Sequence, residues 1–179
     1  MTSLRDDVVL IEHSDPGARQ AQLSTNSYAV LRDGRALLLD TNFSMLVPFV
    51  RELAARGFTP AALVLSHRHV AGTGDAVRDL ANEFKIPVLM HPTDAAHPQA
   101  AAARVPYENV MNHPLLAEFG VEAIHFPGHT AGHIALYGRR RAGFCLPAMP
   151  PWERRPGRQR RESNGSFDRQ PACRLTMRS

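Results

Sequence analysis

Apolar positions in the first two thirds of the chain recur with two different periods. The runs DVVLIEH and SYAVLRDGRALLLD are rich in strand-forming residues. The second is broken by Asp33-Gly34, a dipeptide that favours a tight turn between antiparallel strands, so an N-terminal meander is predicted. From Ser44 the pattern changes. Leu46, Phe49, Val50, Leu53 and Ala54 follow the i, i+3, i+4, i+7 spacing of a helix buried on one face, with Gly57 placed to stop it. Ala61 to Leu65 then reads as a short buried strand. Val77, Leu80, Ala81 and Phe84 mark a second amphipathic helix, and Pro87 to Met90 a further strand. Residues 91–119 are less regular, with a helical turn expected at Ala100 to Ala103. Val121 to Phe126 and Ile134 to Gly138 are strand candidates flanking the turn PGHTAGH. No internal repeat of fixed period is visible.

Strands alternating with helices predict an α/β (α+β) fold. Around residues 61–90 the order is strand, loop, helix, strand. In such units ligands gather in loops beyond the carboxyl ends of the strands, which is where His67 and His69 lie. A chain of 179 residues with 44% hydrophobic content can bury a genuine core. No apolar run approaches the roughly 18 residues that a membrane span requires, and MTSLRDDVVL is acidic where a secretory leader would be apolar. The expectation is a cytoplasmic protein with no membrane partner. Cys145 and Cys173 make no disulfide framework, and neither has a nearby second thiol.

The net charge of +4 is unevenly placed. Met1 to Gly138 holds 10 Lys and Arg against 14 Asp and Glu, whereas Arg139 to Ser179 holds 11 against 3. The basic character therefore belongs to residues 150–179. That segment has few aliphatic residues and no aromatic interleaving, so a solvated, disordered tail is expected rather than a nucleic-acid-binding surface. The expected organisation is a domain over 1–149 followed by this tail.

Candidate chemistry is concentrated in histidines. Asp40 closes the strand LLLD, His67-Arg-His69 ends the strand before it, and Pro127-Gly-His129-Thr-Ala-Gly-His133 follows about sixty residues on. In this order and spacing the motifs resemble the metallo-β-lactamase fold family of metal-dependent hydrolases, over roughly Ser27 to Met149. The resemblance implies an αββα sandwich with a metal site at one edge between the sheets. It also implies that His67, His69 and His129 are ligands of the first metal, a single zinc ion. Three imidazoles close three corners of a tetrahedron and leave the fourth to water, whose pKa zinc lowers to about 7. The implied substrate is a small molecule carrying an ester, thioester, lactam or phosphoester. The members most alike in length and motif are thioester hydrolases of the glyoxalase type.

The departures from the family pattern are specific. The family's HxHxDH would place Asp at 71 and His at 72, both serving a second metal, where this chain has Ala71 and Gly72. A dinuclear site is therefore not expected, and a candidate general base is lost with the Asp. Asp75 is read as a helix N-terminal charge. Asp40 is expected to support the His loop by hydrogen bonds and His133 to brace its turn, while His13, His91, His97, His113 and His125 are read as structural or exposed. No histidine follows His133, and the family's later Gly-Asp strand end is missing, so the second half of the sandwich is expected to be incomplete. Read two nucleotides out of phase, Gly143 to Pro150 is compatible with GVLSAGDA. A frame change shortly before residue 142 is the resulting hypothesis, overturned if the shifted frame carries no further strand–helix pattern and no later His. Cys145 is read as a strand residue or a product of that change. Open strand edges would favour a homodimer. The competing functional expectation is a catalytically inactive relative or a binding module.

Overall fold

Asp33 and Gly34 have φ of 49° and 71°, both left-handed, as a two-residue turn between twisted antiparallel strands requires. They join β3 (Ser27–Arg32) to β4 (Arg35–Leu39), with Arg32 opposite Arg35. This hairpin sits in a computed structural model that describes residues 2–5, 7–11, 26–41, 46–71, 75–138 and 144–146. His13, Gly72, Cys173 and the basic segment 150–179 lie outside the described residues, as does the domain boundary expected after 149. Most of the stretch on which the frame hypothesis rests lies outside them too.

Among the described residues the larger sheet has seven strands in sequence order. β1 (Thr2–Arg5), β2 (Val8–Ile11), β3 and β4 pair antiparallel. β5 (Thr59–Val64), β6 (Val88–Met90) and β7 (Tyr107–Asn109) continue from β4 in parallel. The smaller sheet is antiparallel, with β9 (Ile134–Gly138) between β8 (Val121–His125) and β10 (Phe144–Leu146).

Two apolar layers follow from the alternation of side chains along the central strands. Leu38, Leu63, Leu65, Val88 and Met90 face one way, against Leu46, Phe49, Val50 and Leu53 of α1 (Leu46–Ala55) and Val77 and Leu80 of α3 (Asp75–Phe84). Leu37, Leu39, Ala62, Val64 and Leu89 face the other way, against Val121, Ile134, Leu136 and Leu146 of the small sheet. Burial on both faces explains why β4 and β5 read as unbroken apolar runs. Gly57, at φ 88°, ends α1 as expected, with Gly57 N donating to Ala54 O and Phe58 N to Leu53 O.

Strand β7 was not predicted, nor were three further features. β1 carries one large apolar residue, Leu4, and it is 48% exposed, so no hydrophobic alternation marks the strand. The His67–His69 segment enters a four-residue helix, α2 (Arg68–Ala71), instead of an open loop. Residues 91–119 contain two short helices, α4 (Pro92–Ala95) and α5 (Pro114–Glu118), besides the expected turn at Ala100–Ala103. Each begins with proline at its first position and is capped by the histidine before it, His91 or His113, whose side chain accepts a backbone N–H two residues on.

Among the described residues no helix is long and apolar enough to cross a membrane. Leu63, fully buried between the sheet and the helices, anchors the outer layer. Leu63→Ala is expected to lower unfolding free energy by about 2–5 kcal/mol, and Leu4→Ala by less than about 0.5 kcal/mol, in urea denaturation. Equal losses at the two positions would contradict this core assignment.

Candidate metal centre

Because β4, β5 and β6 are parallel, their carboxyl ends reach the same edge of the sheet. Asp40 N donates to Val64 O and Leu65 N to Leu89 O, carrying the ladder one residue past the strands. Ser66 then connects three parts of the molecule. Its N–H donates to Asp40 Oδ1 at 2.7 Å, its Oγ lies 2.8 Å from His67 Nδ1, and its carbonyl accepts Ile134 N from the small sheet at 2.9 Å. Asp40 thus supports the histidine segment through hydrogen bonds. It is fully buried, sits at φ 58°, and its Oδ2 has no partner among the described residues. Burial, partly offset by the Ser66 bonds, pushes its carboxyl up to about 7.

His67 projects from this ladder end into the interior, and α2 turns His69 toward the PGHTAGH turn. The structure brings His67, His69 and His129 together, with one ring nitrogen from each lying within 4.8 Å of the others. His69 Nδ1 and His129 Nε2 are 2.7 Å apart, so one carries the proton that the other accepts. Burial first, then the neighbouring imidazoles of His133, His129 and His69, push His67 down to about 3. Burial and His129 also lower His69. Neutral imidazoles with free lone pairs are the form that a metal ion takes up. Among the described residues no other group of three or more histidines, cysteines or carboxylates could hold an ion.

His133 does not join this group. Its carbonyl accepts Phe126 N at 2.7 Å, which closes the base of the turn, and its buried ring stands edge-on to His67 at 5.3 Å between centroids. Its Nε2 is buried without a hydrogen-bond partner among the described residues. Ala71 closes α2 and offers no donor atom. Asp75 opens α3, 81% exposed and paired with Arg78 at 2.6 Å, so it does not replace the missing carboxylate.

The residue that sequence reasoning missed is Asp94. It lies in α4, fully buried, and accepts four hydrogen bonds. Oδ2 takes Arg68 N at 3.0 Å and Thr130 Oγ1 at 2.5 Å; Oδ1 takes Gly132 N at 3.0 Å and Arg68 Nη1 at 3.1 Å. Burial alone would raise its carboxyl, but these donors outweigh it and hold it below the usual range. Gly132 packs so closely here that a Cβ would lie 2.7 Å from Asp94 Cγ and 2.8 Å from Asp94 N, which explains glycine at that position. The same corner holds the turn a second time. His91 stacks on His125 with ring centroids 4.4 Å apart and planes 8° from parallel, and His125 Nε2 donates to Ala131 O at 2.8 Å. His91, His113 and His125 are thus structural, as read. The His-Pro-Thr-Asp sequence signals a helix start, but nothing in it signals that the aspartate is buried.

No family model matches the chain. Hydroxyacylglutathione hydrolase from Xanthomonas campestris pv. campestris is 30% identical over 111 residues, covering 61% of this chain and 40% of the relative. The chain therefore spans about two fifths of the length of that curated relative. Among solved structures, a metallo-β-lactamase from Erythrobacter litoralis superposes with TM-score 0.59 at 14% identity, over 75% of this chain and 64% of that one. The DIM-1 metallo-β-lactamase superposes with TM-score 0.58 at 18% identity, over 75% and 62%. Two facing sheets, helices packed outside the larger one and a histidine cluster at the shared edge accompany this likeness, and the chain has the metallo-β-lactamase fold. Its curated likeness within that class is to hydroxyacylglutathione hydrolases.

Asp40 yields a pH test of this arrangement. A carboxyl near 3.9 in the unfolded chain and about 7 in the folded one binds its proton more tightly when folded. Its contribution is therefore fully present below about pH 4 and lost as pH rises to about 7. Asn tolerates the same backbone conformation and does not titrate. The melting temperature of Asp40→Asn minus that of the parent, measured with chelator present, is expected to rise from pH 4 to 7 and then level. A flat or falling difference would show that Asp40 is ionised throughout.

Proposed function

We propose that this chain is a metal-dependent hydrolase that works with a single zinc ion on His67, His69 and His129. The observation that carries this reading is the convergence of three imidazole nitrogens within 4.8 Å, two of them on groups that burial shifts toward the neutral form. The donor set suits zinc, for which three histidines and one open position form a recurrent catalytic arrangement. When bound, zinc supplies Lewis acidity and makes water nucleophilic near neutral pH.

The chain's own residues prepare the site. A metal on His67 Nε2 requires the proton on Nδ1, and Ser66 Oγ is placed to accept that hydrogen bond. His69 and His129 face each other through one hydrogen bond between ring nitrogens, and a cation held there would replace that bond as the donor ring's proton moved to its other nitrogen. His69 and His129 are the accessible members, which puts the reacting groups of a substrate on their side and His67 at the closed end. Ala71 leaves no carboxylate to draw a proton from the attacking water, so turnover slower than in a dinuclear relative is expected.

The name of the relatives supplies the substrate class to test. Hydroxyacylglutathione hydrolase is named for a thioester of glutathione, and such thioesters are the first substrates to try. A small soluble thioester accords with a cytoplasmic setting, and a homodimer would cover the open sheet edges. The missing carboxylate at Ala71 favours a second reading, a metal-binding relative without turnover.

Metal analysis after dialysis, with thioester and phosphodiester hydrolysis by the purified chain, separates these readings. One zinc per chain and thioester cleavage abolished by His69→Ala is the expected result. Zinc without cleavage would select the inactive relative, and failure to retain any metal would overturn both.

A further inference from the structure

Two segments far apart in sequence supply the three histidines, and one carboxylate touches both. Asp94 accepts Arg68 N, the backbone amide between His67 and His69, and also Thr130 Oγ1 and Gly132 N, which follow His129 within its turn. We propose that Asp94 is a positioning residue that fixes the separation of the two ligand-bearing segments and so sets the metal affinity of the site. This rests on the reading of His67, His69 and His129 as a metal centre.

The geometry excludes the other roles open to an acid near a metal site. Four donors occupy its two oxygens and the side chain is fully buried, so no lone pair is left for a metal or for a proton from water. What the carboxylate does have is a requirement for donors on both sides. Two of them are backbone amides, which move only if the segments move. An acceptor shared between Arg68 N at 3.0 Å and Gly132 N at 3.0 Å therefore ties the position of His69 to that of His129. Contact with Gly132 prevents closer approach, since even a methyl group there would overlap Asp94. Hydrogen bonds thus limit separation and steric contact limits compression.

A second hold starts from the same corner. His91 immediately precedes α4, and its ring packs flat on His125, which donates to Ala131 O. Residues 130, 131 and 132 are therefore all gripped from residues 91–94 or through His125. A turn held at three successive residues presents His129 without an ordering step at metal uptake, which is how preorganisation raises affinity.

Asn at position 94 breaks this device without changing its size. Whichever way the amide is turned, its NH₂ faces a backbone N–H, that of Gly132 on one side or Arg68 on the other. Thr130→Val removes one donor and keeps the shape, and Thr130→Ser keeps the hydroxyl. The test is titration of the full chain with Co²⁺ alone, following its visible absorption, with Zn²⁺ competition for affinity and metal-free melting for fold. Asp94→Asn is expected to raise the metal Kd by about 10–100-fold and to alter the cobalt spectrum. Thr130→Val is expected to raise Kd by about 3–10-fold, with Thr130→Ser returning to within about twofold of the parent. If Asp94→Asn does not fold, the two Thr130 variants decide the matter.

A purely structural aspartate would lower the melting temperature and leave the affinity and spectrum of the folded protein unchanged, and that result overturns the proposal while leaving the metal centre intact. Failure of the parent chain itself to bind Co²⁺ or Zn²⁺ would overturn the metal-centre reading, and the positioning role with it.

Discussion

Strands β4, β5 and β6 are parallel, so Asp40, Ser66 and His91 leave the sheet side by side although 26 and 25 residues separate them along the chain. Everything else in the centre depends on that alignment. Ser66 can bond Asp40 and reach Ile134 of the second sheet only because β4 and β5 end together. Asp94 can reach Arg68 only because β6 delivers α4 beside α2. The sheet is in turn fixed by burial on both faces, which leaves its parallel strands no solvent side to slip toward.

Two fully buried aspartates stand at this edge and behave in opposite ways. Asp40 has bonds from Ser66 and an oxygen without a partner among the described residues, and burial wins. Asp94 has four donors, among them a guanidinium, and the donors win. Burial alone therefore does not decide the charge of an acid near the centre; the number and kind of donors does. Charge consequently sits on the α4 side of the site, between the two ligand segments, while the β4 side holds a carboxyl whose proton is retained further up the pH scale.

Local patterns made much of this legible. Asp33-Gly34, the α1 stripe ending at Gly57, and the apolar runs of β4 and β5 are signals carried by neighbouring residues, and each element formed where expected. The convergence of His67 and His69 with His129 was visible only as a resemblance, because sixty residues and a change of sheet lie between them. Asp94 was not legible at all. A short helix opened by His-Pro looks like surface punctuation, and its acid is buried only because two distant backbone amides need an acceptor there. β1 escaped for the opposite reason: its pairing comes from the backbone, with no apolar face to announce it.

Asp40 illustrates how few alternatives a single position can retain. Its φ of 58° admits glycine, asparagine and aspartate readily and penalises branched side chains. The amide of Ser66, 2.7 Å away, needs an acceptor on a short side chain, which removes glycine. Backbone shape and partner chemistry, acting independently, thus favour aspartate and asparagine over the other residue types. A substitution at this site other than to asparagine therefore gives up either a residue suited to that backbone angle or the support beneath His67.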